Sequence, residues 1–194
     1  MFFMISGFAT SEGTNKFLKN SGINSLNFKQ IHNLALSNVG IGTYLGEANE
    51  KTDELVKNAV KQSIICGINV IDTAINYRAQ KAERSVGKAI SELINEGKIS
   101  RDQIFISTKN GYVTNDADVK QEFWEYIKNE YTQKGVIKEG DVTSGYHCMT
   151  IAYLDDQLER SLKNLGLDCI DLIYLHNAVE GQIKDVSKEK FLEN

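Results

Sequence analysis

Short apolar runs that alternate with amphipathic stretches constrain the fold of this chain more than any other feature of its sequence. The runs at residues 68–72 and 104–108 carry Val, Ile and Phe with little alternation of apolar and polar residues. The stretch at residues 50–66 repeats its apolar residues about every 3.6 positions, and a glycine follows it. Strands without alternation are typical of a sheet covered on both faces, and strand–helix repetition predicts right-handed βαβ units. The sequence therefore predicts an α/β protein with a parallel sheet.

The pattern defines the order of the elements. The predicted elements are a strand at 36–43, a helix at 50–66, a strand at 68–72, a helix at 82–96, a strand at 104–108, a helix at 153–165 and a strand at 169–175. Upstream, residues 28–31 and 34–36 around His32 and Asn33 can form a hairpin. The apolar residues 1–5 are too few to span a membrane and are expected to form a buried strand. The residues expected to face inward from the helix at 153–165 are Leu154, Leu158, Leu162 and Leu165.

One connection is much longer than the others. Residues 110–150 follow the third predicted strand, whereas loops of this kind usually have about six residues. A helix inside the segment is predicted from apolar residues spaced to bury one side: Val119, Phe123, Trp124, Ile127 and Tyr131. Long loops at the carboxyl end of a strand often shape a substrate pocket. We interpret residues 1–194 as a single domain with this segment as a loop insertion.

Composition excludes several classes of function. The chain has 194 residues, of which 25% are charged, and its formal net charge is −4. No basic stripe points to nucleic acid, and no segment points to a membrane. Cys66, Cys148 and Cys169 are widely spaced and lack metal-ligand spacing, so neither a metal site nor a disulfide framework is predicted. We expect a cytoplasmic protein with reduced thiols, in which Cys66 and Cys169 are small core residues.

Four polar side chains stand at equivalent places in the pattern. Asp72, Lys109 and His176 each lie where an apolar run ends, and Tyr77 lies in the loop after the first of these runs. The carboxyl ends of parallel strands form one edge, and parallel α/β barrels build their active sites at that edge. Each residue alone has a structural interpretation: a cap, a packing ring, a solvated charge or a buried histidine. Together they favour an enzyme.

The four groups suit a reaction that needs a proton. An ordinary tyrosine phenol has a pKa of about 10, so it is protonated at neutral pH and able to donate. A neighbouring ammonium favours the phenolate that forms, and Lys109 can supply it. Asp72 can keep that ammonium charged and oriented, and the imidazole of His176 can donate a hydrogen bond to a carbonyl oxygen.

Long ordered stretches of the sequence resemble the aldo-keto reductase family. They read GINVIDTAINY at 67–77, AERSVGKA at 82–89, ISTK at 106–109 and LERSLKNLGLD at 158–168, continuing to His176. The resemblance implies a (β/α)8 TIM barrel that uses NADPH to reduce the aldehyde or ketone group of a small-molecule substrate. It also implies that Asp72, Tyr77, Lys109 and His176 are catalytic. The positions that match cofactor-lining residues of the family are Gly42, Thr43, Tyr44 and Asp72.

Other matching residues have different interpretations. Those that we interpret as structural ion pairs or caps are Glu83, Arg84, Arg160 and Asp171. His147, in the long loop, is a weaker candidate for the substrate pocket. No GxGxxG motif occurs, so the dinucleotide is not expected to bind in the Rossmann manner.

The sequence departs from the family pattern in two respects. Asn177 follows His176 where the family commonly has a proline nearby, and the chain ends at Asn194, whereas a barrel of this class needs about 250 residues. We therefore expect an N-terminal hairpin plus about the first four β/α units of the barrel. Such a chain should self-associate and bind NADPH weakly. A regulatory or binding protein on the same scaffold, and an inactive half-barrel, remain as alternatives.

Overall fold

The computed structural model describes residues 4–193 of the chain. Its helices and strands are α1 (Ser11–Asn20), β1 (Phe28–Ile31), β2 (Leu34–Ser37), β3 (Ile41–Gly42), α2 (Glu50–Ile65), β4 (Val70–Asp72), α3 (Lys81–Asn95), β5 (Phe105–Asn110), α4 (Phe123–Ile127), α5 (Ile151–Leu165), β6 (Leu172–Leu175), α6 (Ala178–Gln182) and α7 (Lys188–Glu193). None of the helices described in this range is both long and apolar enough to cross a membrane.

A four-stranded parallel sheet forms the centre of the structure. Its strands are ordered β3-β4-β5-β6, so each strand pairs with the next one along the chain. Helix α2 packs against α3, and α3 packs against α5, as expected when each strand is followed by a covering helix. Their apolar faces meet the sheet in one cluster that includes Ile71, Ile90 and Ile106. The predicted α/β class with a parallel sheet is confirmed.

The hairpin upstream of the sheet is also confirmed. Strands β1 and β2 are antiparallel, and His32 and Asn33 between them have φ angles of 49° and 67°. Both residues are thus left-handed, as a tight two-residue hairpin turn requires. The predicted single strand at 36–43 is wrong, because the chain leaves the hairpin at Ser37 and starts β3 at Ile41. The buried Asn69 holds this break: its Oδ1 accepts from the Ser37 amide at 2.9 Å, and its Nδ2 donates to the Ala35 carbonyl at 2.9 Å.

The N-terminal segment packs against the main core, with Ile5 and Phe17 in its apolar cluster. The predicted strand at 1–5 falls partly outside the described residues, but Ile5 forms a parallel bridge with Leu167. Helix α1, which the sequence pattern did not indicate, is capped by Thr10, whose side chain accepts from the Gly13 amide. A Cβ at Gly13 would lie 2.3 Å from the backbone oxygen of Asp102, so only glycine permits this approach.

The buried face of α5 differs from the predicted one. The buried residues of this helix are Tyr153, Gln157, Ser161 and Leu165. Leu165 is buried as predicted, whereas Leu158 is 36% exposed. The reason is polar contact with the long loop, since Gln157 donates from Nε2 to the Tyr131 hydroxyl at 3.3 Å. The buried amide nitrogen of Gln157 thus has a partner, and a leucine pattern alone does not reveal it.

The long loop has a core of its own. Helix α4 continues into a π-helical turn at Lys128–Thr132, as the apolar spacing in part predicted. The buried residues of this second cluster are Val113, Tyr126, Ile127, Tyr131, Ile137, Cys148 and Tyr153. Val119 and Trp124 were expected on its inner side but are exposed. Cys66, predicted in the main core, is also exposed, because it lies just beyond the end of α2.

Three of the four residues interpreted as structural form ion pairs. Arg84 contacts the carboxylates of Asp116 and Asp118, Arg160 contacts Asp156, and the buried Asp171 contacts Arg101 at 2.7 Å. Glu83 has no ion-pair partner among the described residues. It is fully buried and accepts hydrogen bonds from the Thr108 hydroxyl at 2.6 Å and from Asn164 at 2.9 Å. Burial raises the pKa of the Glu83 carboxyl.

Candidate active site

The carboxyl ends of neighbouring strands bring the four predicted residues together. Asp72 ends β4, Lys109 lies near the end of β5, and His176 directly follows β6. The His176 amide donates to the Asn110 carbonyl at 2.8 Å, which extends the pairing of β5 and β6 up to the site. Tyr77 reaches the same edge through a turn in which its amide donates to the Ala74 carbonyl at 3.1 Å.

The ammonium of Lys109 is the centre of the site. It donates to Asp72 Oδ2 at 2.6 Å, to the Thr73 carbonyl at 2.8 Å and to the Tyr77 hydroxyl oxygen at 3.2 Å. An ammonium has three N–H donors, so these three acceptors account for all of them. The other oxygen of Asp72 accepts from the Ser107 hydroxyl at 3.0 Å. These contacts therefore hold the Lys109 ammonium beside the Tyr77 phenol.

The phenol of Tyr77 is set up to donate. Its oxygen already accepts from Lys109, which leaves its own O–H free for a group in the cleft. Its ring lies between two others, with centroids 4.9 Å from Tyr44 and 5.6 Å from His176, both nearly edge-on. Aromatic pairs favour this geometry, and the two neighbours restrict the movement of the ring.

The imidazole of His176 is neutral and is held on one side. Its Nδ1 lies 3.1 Å from Oδ1 of Asn76, and its ring centroid lies 5.0 Å from that of Tyr112. Burial lowers the pKa of His176, and the nearby charge of Lys109 lowers it further. Because an ordinary histidine already titrates at about 6.5, His176 is uncharged at neutral pH.

Asn76 is a site residue that the sequence pattern did not single out. With Oδ1 facing the imidazole, Nδ1 of His176 carries the proton and Nε2 is an acceptor. Half a turn of the Asn76 amide would present its NH2 group instead, and Nε2 would then carry the proton. The one available signal was its position: a polar residue directly before Tyr77, in a turn between buried residues.

The turn after Tyr77 is strained. Arg78, Ala79 and Gln80 have φ angles of 51°, 49° and 75°, which residues with a side chain rarely adopt. The turn is held by Arg78, which is buried and donates to Asp53 at 2.6 Å and to Ser85 at 3.0 Å. Backbone strain of this kind persists where the surroundings over-determine it, and it clusters at functional sites.

An open cleft of about 540 Å³ exposes the four side chains. Its lining residues are Asp72, Tyr77, Lys109, Tyr174, Leu175, His176 and Asn177. A larger groove of about 770 Å³ between α3 and α5 contains none of the four predicted catalytic residues. The smaller cleft is therefore the candidate active site.

The residues predicted to line a cofactor lie beside this cleft but differ in exposure. Gly42 pairs in register with Asp72, and a Cβ added to it would meet no atom within 4 Å. Tyr44 is 66% exposed. The hydroxyl of Thr43 is buried and lies 2.9 Å from that of Thr73, so it is engaged within the protein.

His147 does not line the cleft, contrary to the interpretation of the sequence. Its side chain is fully buried beneath the site. Its Nε2 lies 2.8 Å from the backbone oxygen of His176, and its Nδ1 lies 3.1 Å from Nε2 of Gln182. The long loop thus reaches the site from behind rather than through the cleft.

Comparisons with known proteins identify the family of the chain. Residues 38–182 match the sequence profile of the Aldo/keto reductase family. The uncharacterized oxidoreductase YtbE of Bacillus subtilis (strain 168) is 36% identical over 136 residues, which are 70% of this chain and 35% of that protein. The NADH-specific methylglyoxal reductase of Escherichia coli (strain K12) is 29% identical over 150 residues, which are 74% of this chain and 39% of that protein. The chain thus spans little more than a third of the length of these relatives.

Solved structures are similar over most of the chain, and one of them illustrates the match. The crystal structure of an aldo-keto reductase from Klebsiella pneumoniae in complex with NADPH aligns with 79% of this chain and 41% of its own chain. The sequence identity is 22%, and the TM-score is 0.48.

Proposed function

Because the chain belongs to the aldo/keto reductase family, we propose that it reduces an aldehyde or ketone to an alcohol by NAD(P)H-dependent hydride transfer, with Tyr77 as the general acid. The observation that carries this proposal is the contact of 3.2 Å between the Lys109 ammonium and the Tyr77 hydroxyl oxygen. It leaves the phenol O–H free for the substrate and supplies a positive charge where the phenolate would form.

In this proposal Tyr77 gives its proton to the oxygen of the substrate carbonyl as that oxygen gains negative charge. Lys109 stabilises the resulting phenolate, and Asp72 keeps the ammonium oriented through its contact of 2.6 Å. General acid catalysis of this kind typically contributes about 10²–10⁴-fold to a rate. Solvent then restores the proton to Tyr77 through the open cleft.

His176 would polarise the same carbonyl. To donate a hydrogen bond it must carry its proton on Nε2, which requires the Asn76 amide to present NH2 to Nδ1. Since the pKa of His176 is lowered, the donor is a neutral imidazole at physiological pH. Two donors, Tyr77 and His176, would then share one carbonyl oxygen, as in other sites that stabilise an oxyanion.

The residues beside the cleft fit part of a nicotinamide site. Tyr44 and the backbone around Gly42 are open to a flat ring, and the carboxylate of Asp72 is 40% exposed. Because the Thr43 hydroxyl is engaged with Thr73, Thr43 would contribute through its backbone. When bound, the reduced cofactor supplies the hydride. The cofactor in this proposal is NADPH or NADH. Its other contacts would come from residues other than Gly42, Thr43, Tyr44 and Asp72.

The barrel architecture, the substrate pocket and the cellular location belong to the same proposal. We infer that the four parallel strands are the first strands of a (β/α)8 barrel and that residues 110–150 shape the pocket for a small carbonyl substrate. The cleft wall at Tyr174 and Leu175 suits an apolar group on that substrate. A reducing cytoplasm is consistent with the free thiols of Cys66, Cys148 and Cys169.

Self-association of the chain is a second proposal, and a separate observation supports it. Among the described residues β6 pairs only with β5, and Ile173 and Leu175 on it are exposed. An open edge with exposed apolar residues recruits other strands. An inactive half-barrel would use this edge to form a dimer, whereas a regulatory protein would bind the cofactor without turnover.

The test is an assay of the full-length protein, meaning the chain as its gene encodes it, with NADPH and NADH separately, against a panel of short aldehydes and ketones. The expected result is cofactor oxidation matched mole for mole by the alcohol product. Cofactor binding without product would favour the regulatory alternative. Neither binding nor product, in a folded protein, would overturn the proposal and favour the inactive half-barrel.

A further inference from the structure

The buried imidazole of His147 has both ring nitrogens engaged. The backbone oxygen of His176 can only accept, so Nε2 of His147 donates to it across 2.8 Å. The amide NH2 of Gln182 donates to Nδ1 across 3.1 Å. One neutral tautomer satisfies both contacts, and burial lowers the pKa of His147, which also favours that form.

Two glycines hold this ring from its two sides. A Cβ at Gly111 would lie 2.6 Å from Nε2 of His147, and a Cβ at Gly181 would lie 2.5 Å from its Cδ2. Real Cβ atoms do not approach that closely, so both neighbours must lack a side chain. The space between the end of β5 and α6 is therefore shaped for an imidazole.

The contacts around His147 converge on the peptide of His176. The carbonyl of His176 accepts from His147, while its amide donates to Asn110 at 2.8 Å. Cys148, next to His147, donates its amide to the Gly111 carbonyl at 2.8 Å. The ring of Tyr112 contacts both histidines edge-on, with its centroid 5.0 Å from that of each.

We propose that His147 is a positioning residue of the active site, which fixes the peptide of His176 and thereby directs the His176 imidazole into the cleft. The proposal rests on the proposed function, because His147 acts only through His176. It also gives the long loop a definite role, since it would control the geometry of the donor that polarises the carbonyl. A purely structural His147 would stabilise the fold without any preference for His176.

A pair of substitutions separates these two roles. In His147→Gln the side-chain NH2 reaches the place of Nε2 and can still donate to His176. In His147→Asn the NH2 reaches only the place of Nδ1, so the contact is lost. A displacement of catalytic groups by about 1 Å can cost about 10²-fold in rate. We expect kcat of the full-length protein to fall by about 10–10²-fold in His147→Asn and to be largely restored in His147→Gln.

A double-mutant cycle with His176→Gln tests whether His147 works through His176. If it does, His147→Asn should cause little further loss once His176 has been replaced. An equal fold loss in both backgrounds would show a general effect on the fold and would overturn the proposal. Tyr131→Phe is the matched control: it removes two buried hydrogen bonds of the long loop, one of 3.2 Å to the Thr114 carbonyl and one of 3.3 Å from Gln157, without touching His176.

Two further measurements keep the result decisive. If His147→Asn does not fold, Gln182→Met is the alternative. It removes the side-chain donor to Nδ1, which fixes the His147 tautomer that donates to His176, so kcat should also fall. An unchanged kcat would overturn the proposal. If the wild-type protein reduces no carbonyl, the proposed function fails, and nitrogen NMR of the His176 imidazole decides on His147. A shift of the His176 signals in His147→Asn but not in Tyr131→Phe supports positioning, and unchanged signals contradict it.

Discussion

Replacement of Lys109 by methionine probes the charge at the centre of the site. Methionine has a similar length and packs similarly, but it removes the ammonium that contacts Asp72, Thr73 and Tyr77. The phenolate that forms on Tyr77 would then lose its only close positive charge among the described residues. We expect turnover to fall strongly, whereas the fold should change little, because the Asp72 side chain of this pair is 40% exposed and water can solvate it.

The distance between the Lys109 ammonium and the Tyr77 oxygen sets the size of the expected loss of turnover. Across the 3.2 Å that separates the Lys109 Nζ from the Tyr77 oxygen, two unit charges attract by about 5 kcal/mol at an effective dielectric constant of about 20, and by about 1 kcal/mol in bulk water. The cleft is open, so the true value lies between these limits. Since about 1.4 kcal/mol corresponds to a tenfold change in rate, and the phenol is only partly ionised in the transition state, we expect kcat to fall by about 10–10³-fold.

Steady-state kinetics of the full-length protein at saturating NADPH measure this loss. Lys134→Met is the matched control, because it removes a lysine from an exposed pair with Glu130 by the same chemical change. Thermal unfolding should show similar stability for both variants. A Lys109→Met protein that keeps more than a third of the wild-type kcat would refute the electrostatic role of Lys109.

The remaining predictions concern the partners of the site and the chain itself. Asp72→Asn should lose less activity than Lys109→Met, because the ammonium survives, and a double variant whose loss equals the product of the two single losses would disprove their coupling. Asn76→Asp puts a carboxylate against His176; it should raise the pKa of His176 and confine activity to pH values below it, and an NMR titration with an unchanged pKa would contradict this. The isolated 194-residue chain should dimerise or aggregate through β6, so a monomer in size-exclusion chromatography with light scattering would count against the open edge. The same chain should bind NADPH weakly or not at all, and tight binding in a fluorescence titration would show that it holds more of the cofactor site than its matching residues indicate.

The sequence was most informative where structure follows from local pattern. Asp72, Lys109 and His176 follow apolar runs, and parallel strands bring such positions to one edge, so their meeting could be predicted without knowing any distance. The hairpin at His32 and Asn33 and the alternation of strands and helices from β4 to β6 also follow from local pattern. The resemblance to the aldo/keto reductase family is confirmed by the match over residues 38–182.

The sequence was least informative where a residue owes its place to a distant partner. The buried stripe of α5 includes Gln157 because Tyr131, in the long loop, bonds to it, and no periodicity encodes that contact. His147 was assigned to the pocket because it lies in a loop at the catalytic end, yet Gly111 and Gly181 enclose it behind the site. Contacts of this kind depend on tertiary packing, which the spacing of apolar residues does not specify.

The most direct test of Tyr77 as the general acid is the turnover of Tyr77→Phe in the full-length protein, measured at saturating NADPH beside the wild type. Phenylalanine keeps the ring contacts with Tyr44 and His176 and removes only the hydroxyl. We expect carbonyl reduction to fall by about 10²–10⁴-fold, the usual contribution of a general acid, while the unfolding temperature stays close to that of the wild type. A folded variant that retains more than a tenth of the wild-type turnover would contradict this role of Tyr77.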